Sequence, residues 1–154
     1  MKRCTMILST ILLILALCAC EVTSVFSYSF DVATGDRIKV ELDTSTGLDL
    51  SQKDGRFFVK EGEDKIVEGL FITRETYEER MAMEGSPEIT TVEQSEKDGN
   101  SYWMYEVDGQ AGLETDCLLW VEGSDTGILM GSLAGREKAQ NAFAHLTFSV
   151  DGED

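Results

Sequence analysis

Hydrophobic and polar residues alternate along much of this chain, which is the pattern of β-strands that bury one face. The first such stretch includes Phe26, Tyr28 and Phe30, and the same pattern returns over Arg37–Asp43. Further alternating stretches cover residues 56–60, 65–72, 88–96, 101–107, 115–122 and 127–133, with a short one at 147–150. Turns rich in Gly and Asp separate most of them, so the sequence predicts hairpins and an antiparallel sheet.

Two of these stretches predict how the sheet is buried. In one, Trp103 and Tyr105 fall on one face, and Tyr102 and Met104 fall on the other. Alternating aromatic residues of this kind are typical of core and cross-strand packing, and stacking on a sugar or peptide is the alternative. Residues 117–121 are apolar on both faces, which predicts a central strand covered on two sides.

Helical signals appear twice. Thr76 and Glu79 form a capping box that predicts the start of a short helix, which Gly85 and Pro87 would end. Residues 136–146 place four apolar residues on one helical face: Ala139, Ala142, Phe143 and Leu146. The expected fold class is α+β, a mainly antiparallel sheet of about seven to eight strands built from hairpins, with a short central helix and a C-terminal amphipathic helix packing on it.

The N-terminus predicts export. Met1-Lys2-Arg3 is a short basic start, and MILSTILLILAL over residues 6–17 is an apolar run too short for a membrane-spanning helix. A basic start followed by such a run is typical of a secretory signal peptide, which we place at residues 1–19. A buried N-terminal helix is the alternative.

The end of that run, Leu17-Cys18-Ala19-Cys20, resembles the lipobox of bacterial lipoproteins. The resemblance implies that Cys20 carries a diacylglycerol and becomes the mature N-terminus once residues 1–19 are removed. Two acyl chains give stable membrane anchoring. We therefore expect a lipid-anchored protein on the extracytoplasmic side of a bacterial cell membrane, with a tether over residues 20–25, a single α+β domain over residues 26–150 and an acidic tail over residues 151–154.

Composition limits the partners. The chain has 13 Lys and Arg against 29 Asp and Glu, and loss of Lys2 and Arg3 with the signal peptide changes the formal net charge from −16 to −18. This excludes nucleic acid as a partner, because phosphate contacts need clustered basic residues. A protein partner close to the membrane should present a neutral or basic surface, because acidic surfaces repel each other.

Few residues offer catalytic chemistry. After cleavage and lipidation Cys117 is the one free thiol left, and its apolar neighbours predict a buried, inert side chain. His145 is the only histidine and lies off the apolar face of the predicted last helix. The sequence carries no motif of a nucleophile triad, a zinc site or a phosphate-binding loop, so we assign no catalytic residue, cofactor or metal site.

Carboxylates are abundant and leave two alternatives open. Paired Asp or Glu side chains in a cleft, about 5 to 10 Å apart, would indicate a hydrolase acting on envelope glycans. Oxygen-bearing residues over Asp43–Asp49, with Asp54 nearby, would suit calcium in a structural lipoprotein. The ordinary explanation of the many carboxylates is surface charge exposed to solvent. The ordinary explanation of the oxygen-bearing residues over Asp43–Asp49 is turn capping.

The order of elements, with the closing helix and Phe148-Ser149-Val150, resembles that of the PsbP-like α/β/α sandwich family. Leu48–Leu50 stands where this family usually has an aromatic residue. The resemblance implies a small, non-enzymatic accessory or binding domain, often beside a membrane complex. We therefore expect a lipid-anchored binding or accessory domain, with the hydrolase and the calcium-binding lipoprotein as alternatives.

Lipidation at Cys20 can be tested by substitution. Cys20→Ser removes the thiol to which the resemblance assigns the thioether, so we expect no metabolic labelling by palmitate and either an uncleaved precursor or a released protein. Cys18→Ser is the matched control and should keep labelling and membrane retention, because Leu17 before Cys18 is not a small residue. Normal labelling and processing of Cys20→Ser would contradict the assignment.

Overall fold

The structure of the protein is a computed structural model that describes residues 24–152. The predicted signal peptide, Cys20 and residues 153 and 154 lie outside this range. Within the range, no helix is both long enough and apolar enough to cross a membrane.

The described chain forms ten strands and two helices. In order they are β1 (Val25–Asp31), β2 (Arg37–Asp43), β3 (Leu48–Lys53), β4 (Arg56–Glu61), β5 (Asp64–Thr73), α1 (Arg74–Met81), β6 (Ile89–Lys97), β7 (Asn100–Gly109), β8 (Gly112–Trp120), β9 (Thr126–Ser132), α2 (Arg136–His145) and β10 (Leu146–Val150). The strands form two sheets. The larger sheet has the order β3-β4-β5-β9-β8-β7-β6, and the smaller has the order β1-β2-β10.

Every neighbouring pair of strands in both sheets is antiparallel. This confirms the prediction of a mainly antiparallel fold, with seven strands in the larger sheet. The separate smaller sheet differs from the prediction of one sheet. Hairpin signals indicate which consecutive strands pair, but β10 returns across the chain to pair with β2, a contact that local sequence does not reveal.

β3 is a second difference, because the alternation predicted no strand between β2 and β4. Only Leu48 and Leu50 of this strand are buried, and the other residues are polar. β3 is an edge strand that pairs with β4 alone in the larger sheet. Polar residues suit such an edge because one flank of the strand faces water.

The two faces of the larger sheet are covered by different elements. The inner face packs against α2 and the smaller sheet, where Ile38 and Leu42 are fully buried. The outer face packs against α1 and carries a smaller apolar cluster that includes Trp103 and Tyr105. Met104 belongs to the inner cluster, so the predicted alternation over β7 is confirmed. Residues of β8 contribute to both clusters, as the apolar run predicted.

The first helix starts one turn earlier than predicted. Thr73 is the N-cap, and its Oγ1 accepts a hydrogen bond from the Thr76 backbone N at 3.4 Å. The predicted N-cap at Thr76, paired with Glu79, is therefore wrong, because the hydroxyl at the end of β5 caps the helix first. α1 ends at Met81, and Gly85, with a φ of +83°, lies in the turns that follow.

The second helix buries the face that its spacing predicted. Ala139, Ala142 and Phe143 are buried. Leu146 is buried as well, but it has an extended backbone and begins β10 instead of ending the helix. The chain therefore passes from α2 into β10 without a loop.

Two side chains at the β6–β7 turn, Lys97 and Asn100, tie α2 and the smaller sheet to the larger sheet, and we call this pair the β6–β7 clamp. Lys97 Nζ donates hydrogen bonds to the carbonyl oxygens of Phe143, Ala144 and Leu146 at 3.3, 2.6 and 2.6 Å. The last carbonyls of a helix have no partner within the helix. The ammonium group supplies those partners where α2 ends.

The second member of the clamp acts on β10. Asn100 Nδ2 donates to the carbonyl oxygen of Phe148 at 2.9 Å, and its Oδ1 accepts from the Glu122 backbone N at 2.8 Å. β10 pairs with β2 on one side only, so its other edge has no strand to satisfy its carbonyls. The side chains of the clamp bond to that edge.

Another polar contact joins the tips of two hairpins. Asp36 Oδ2 in the β1–β2 turn accepts hydrogen bonds from Thr126 Oγ1 at 2.7 Å, from the Asp125 backbone N at 2.9 Å and from Thr34 Oγ1 at 3.1 Å. The bond from Thr126 is the main cause that lowers the pKa of Asp36, because it favours the charged carboxylate. The smaller sheet is thereby attached to the β8–β9 turn.

Candidate functional site

A cavity of about 250 Å³ lies between α2, β10 and the inner face of strands β6 to β9, and we call it the inner cavity. Its floor and walls are apolar or sulfur-bearing side chains: Met104, Cys117, Leu119, Met130, Phe143, Leu146 and Phe148. An engineered apolar cavity of about 150 Å³ binds benzene, so the inner cavity has room for about ten non-hydrogen atoms.

Three neighbouring strands build the floor of the inner cavity. The register of the sheet places Met104 beside Cys117, and Cys117 beside Met130. Methionine is flexible and polarizable, so such a floor adapts to ligands of irregular shape. Cys117 is buried as predicted, and burial raises the pKa of its thiol, which keeps the sulfur protonated.

The rim of the inner cavity is polar and is formed by Glu93, Asp98, Tyr102 and Gln140, with Lys97 of the clamp beside them. Tyr102 Oη donates a hydrogen bond to Glu93 Oε1 at 2.7 Å. Burial, followed by this bond, raises the pKa of Tyr102 to about 12. Burial also lowers the pKa of Lys97 from its ordinary value. The inner cavity thus combines an apolar interior with a hydrogen-bonding rim.

A second hollow, of about 400 Å³, lies on the outer face beside α1, and we call it the outer groove. Glu114 and Asp116 are two residues apart on β8, so their side chains point to the same face. Gly131 lies opposite Asp116 on β9. A Cβ atom on Gly131 would lie 2.6 Å from Glu114 Oε1 and 3.2 Å from Asp116 Oδ1. The two carboxylates therefore share the space that a side chain at residue 131 would fill. Because both distances start from the same Cβ position, Glu114 Oε1 and Asp116 Oδ1 are separated by no more than these two distances added together.

Asp116 is only 8% exposed, and its pKa is raised to about 7. Burial is the main cause and the charge of Glu114 is the second, whereas a hydrogen bond with Tyr105 and the charge of Arg80 act in the opposite direction. Acidic groups with such a pKa are common at functional sites. The carboxyl group of Asp116 therefore exchanges its proton near neutral pH.

The sequence pattern did not point to the pair of carboxylates in the outer groove. The available signal was two acidic residues, two apart, in a strand that otherwise carries apolar residues at 117–121. In a strand that spacing places both carboxylates on one face. The glycine that gives them room, Gly131, is recognisable only once the register between β8 and β9 is known.

The residues considered for calcium line neither the inner cavity nor the outer groove. Asp43 Oδ1 accepts a hydrogen bond from the Ser45 backbone N at 2.9 Å, as turn capping predicts. Asp49 is exposed on β3, and Asp54 lies in the β3–β4 turn with a φ of +52°. Across residues 24–152, no group of three or more His, Cys, Asp or Glu side chains is arranged to hold a metal ion.

The other residues that the sequence singled out occupy structural positions. His145 is the last residue of α2, and its Nδ1 lies 2.7 Å from the carbonyl oxygen of Asn141. Trp103 and Tyr105 are 1% and 2% exposed, so they are core residues, as their alternation predicted. Tyr102 is only partly buried and is the one aromatic residue of this set at the inner cavity.

Neither a protein-family model nor a curated protein matches this chain. What the inner cavity and the outer groove can bind therefore follows from their own residues. The inner cavity offers an apolar floor with room for a small molecule. The outer groove offers two adjacent carboxylates, one of which changes its charge near neutral pH.

The raised pKa of Asp116 predicts that stability falls as the pH rises. Between its ordinary pKa of 3.8 and about 7, the folded protein holds a proton that the unfolded chain releases, and above pH 7 the folded protein contains a buried charge. From pH 5 to pH 8 we expect the free energy of unfolding of the wild type to fall by about 2–3 kcal/mol relative to that of Asp116→Asn. Urea unfolding at each pH measures it.

The matched control is Asp49→Asn, which changes an exposed aspartate on β3. It should keep the pH dependence of the wild type, because Asp49 lies away from the outer groove. Parallel pH profiles for the wild type and Asp116→Asn would show that Asp116 ionises alike in the folded and unfolded chains.

Proposed function

We propose that this protein is a lipid-anchored, non-enzymatic binding or accessory domain on the extracytoplasmic side of a bacterial cell membrane. The lipobox-like Leu17-Cys18-Ala19-Cys20 supports an anchor through diacylglycerol on Cys20. The first strand begins at Val25. Five residues span at most about 18 Å, so the anchor would hold the domain close to the membrane surface.

The inner cavity is the observation that carries the binding role. Ligand sites are mostly apolar with a few placed polar groups, and the inner cavity has this composition. Its volume of about 250 Å³ lies just below the range of about 300–1,000 Å³ that is usual for drug-sized ligands. We therefore assign it a small ligand.

We also propose that the domain is a PsbP-like sandwich that works beside a membrane-proximal protein. An antiparallel sheet with α1 against one face and α2 against the other supports this assignment. The partner surface should be neutral or basic, because the chain has a formal net charge of −16 and the mature form would have −18.

A small apolar probe tests the inner cavity. Once residues 1–19 are removed, the methionines left are Met104 and Met130, which line the cavity, and Met81 and Met83, which do not. Indole is within the size that the cavity admits. In the full-length lipidated protein in nanodiscs, we expect indole to give saturable ¹³C-methyl shifts of Met104 and Met130 and none of Met81 and Met83.

Two substitutions on α2 make this test specific. Ala144→Trp places a large side chain on an exposed residue that lines the inner cavity, so it should abolish the shifts. Asn141→Trp changes an exposed residue of the same helix that does not line the cavity, and it should preserve them. Equal shifts of all four methyl groups, or none at all, would reject the cavity as a binding site.

The outer groove supports a second candidate, a small carboxylate-dependent hydrolase acting on envelope glycans. Retaining glycosidases hold two carboxyl groups about 5 Å apart, and the one with the raised pKa is the general acid. Glu114 and Asp116 share one space above Gly131, and the pKa of Asp116 is raised to about 7. Asp116 would then be the general acid and Glu114 the second carboxylate.

Release of reducing ends from purified envelope glycan tests the hydrolase. If the wild type is active, Asp116→Asn should lower the rate by about 100-fold, because it removes the proton donor. Asp49→Asn changes an exposed carboxylate on β3, outside the outer groove, and should leave the rate unchanged. Absence of release by the wild type would reject this candidate.

A further inference from the structure

The floor of the inner cavity favours an apolar body. Across residues 24–152, no buried side-chain N or O atom lacks a hydrogen-bond partner. A polar ligand group placed among Met104, Leu119 and Phe143 would therefore lose its hydrogen bonds to water without replacement. That loss costs about 1–3 kcal/mol for a neutral group and more for a charged one.

The rim of the inner cavity presents acceptors. Glu93 and Asp98 are exposed carboxylates on this rim. Glu93 Oε1 accepts the hydroxyl hydrogen bond of Tyr102 at 2.7 Å, which holds the carboxylate in place. A carboxylate has about four acceptor positions, so Glu93 can accept a further bond from a ligand.

Lys97 and the Tyr102 hydroxyl, two of the donors beside the rim, are already engaged within the protein. Lys97 has a main-chain carbonyl within 3.3 Å for each of its three N–H bonds. Tyr102 donates its hydroxyl hydrogen to Glu93, and Asn100 Nδ2 donates to Phe148. An anionic head group would compete with α2 and β10 for the donors of the β6–β7 clamp, whereas a cationic head group meets acceptors.

We propose that the inner cavity binds a small primary amine, with an apolar body of about ten non-hydrogen atoms inside the cavity and the ammonium group at Glu93. The inference rests on the proposed function, because it names the ligand class of the same cavity. The net charge of the chain favours the approach of a cation. Glu93, held by Tyr102, selects the head group, and the sulfur-lined floor accepts the body.

Three probes with the same aromatic body and different head groups test the inference: 2-phenylethylamine, 2-phenylethanol and phenylacetate. Each is titrated into the full-length lipidated protein in nanodiscs at physiological salt, and the methyl shifts of Met104 and Met130 report binding. We expect the amine to bind about fivefold more tightly than the alcohol, and phenylacetate to bind most weakly.

Two glutamate substitutions on β6 locate the selectivity. Glu93→Gln should weaken binding of the amine about fivefold and leave binding of the alcohol unchanged. Glu96→Gln removes the same charge from the same strand at a residue outside the cavity lining, and it should keep the preference for the amine.

Equal affinity for amine and alcohol, or tighter binding of phenylacetate, would overturn the amine assignment but leave the binding role of the cavity intact. Absence of shifts with all three probes would overturn both the amine assignment and the binding role of the cavity.

Discussion

The ammonium group of Lys97 sits among the carbonyl oxygens of Phe143, Ala144 and Leu146, at the point where α2 becomes β10. A helix that ends directly in a strand leaves its last carbonyls without turn residues to bond them. A lysine at this end satisfies those carbonyls and interacts favourably with the helix dipole. Burial lowers the pKa of Lys97, so placing the charge there has a desolvation cost that the three bonds offset.

The inner cavity is a consequence of how this junction is held. Because α2 continues into β10 without a loop, the position of the helix over the larger sheet depends on where β10 is attached. Asn100 fixes β10, and Asp36 fixes the β1–β2 turn of the same small sheet. The side chains of α2, β10 and strands β6 to β9 meet beside the clamp and leave the space of about 250 Å³ between them.

The sequence predicted those parts of the fold whose signals are local. β2 has the predicted bounds because Ile38 and Leu42 alternate with charged residues along its whole length. The return of β10 to β2 brings together residues far apart in the chain, about which alternation carries no information. Gly131 and Asp116 belong to one predicted hairpin, but alternation alone does not fix the register that sets them opposite each other. The sequence pattern did not single out Lys97, since its three partners are main-chain atoms that any sequence would supply.

Cys117 gives the inner cavity a built-in reporter. Cys117 is 3% exposed and lies in the cavity floor, and burial raises the pKa of its thiol, so a thiol-reactive reagent reaches the sulfur through the cavity and reacts slowly there. The rate of alkylation therefore reports how freely a small molecule enters the cavity. A molecule bound in the cavity would stand between reagent and sulfur, so occupancy can be read as protection of one cysteine from modification, without any label on the ligand.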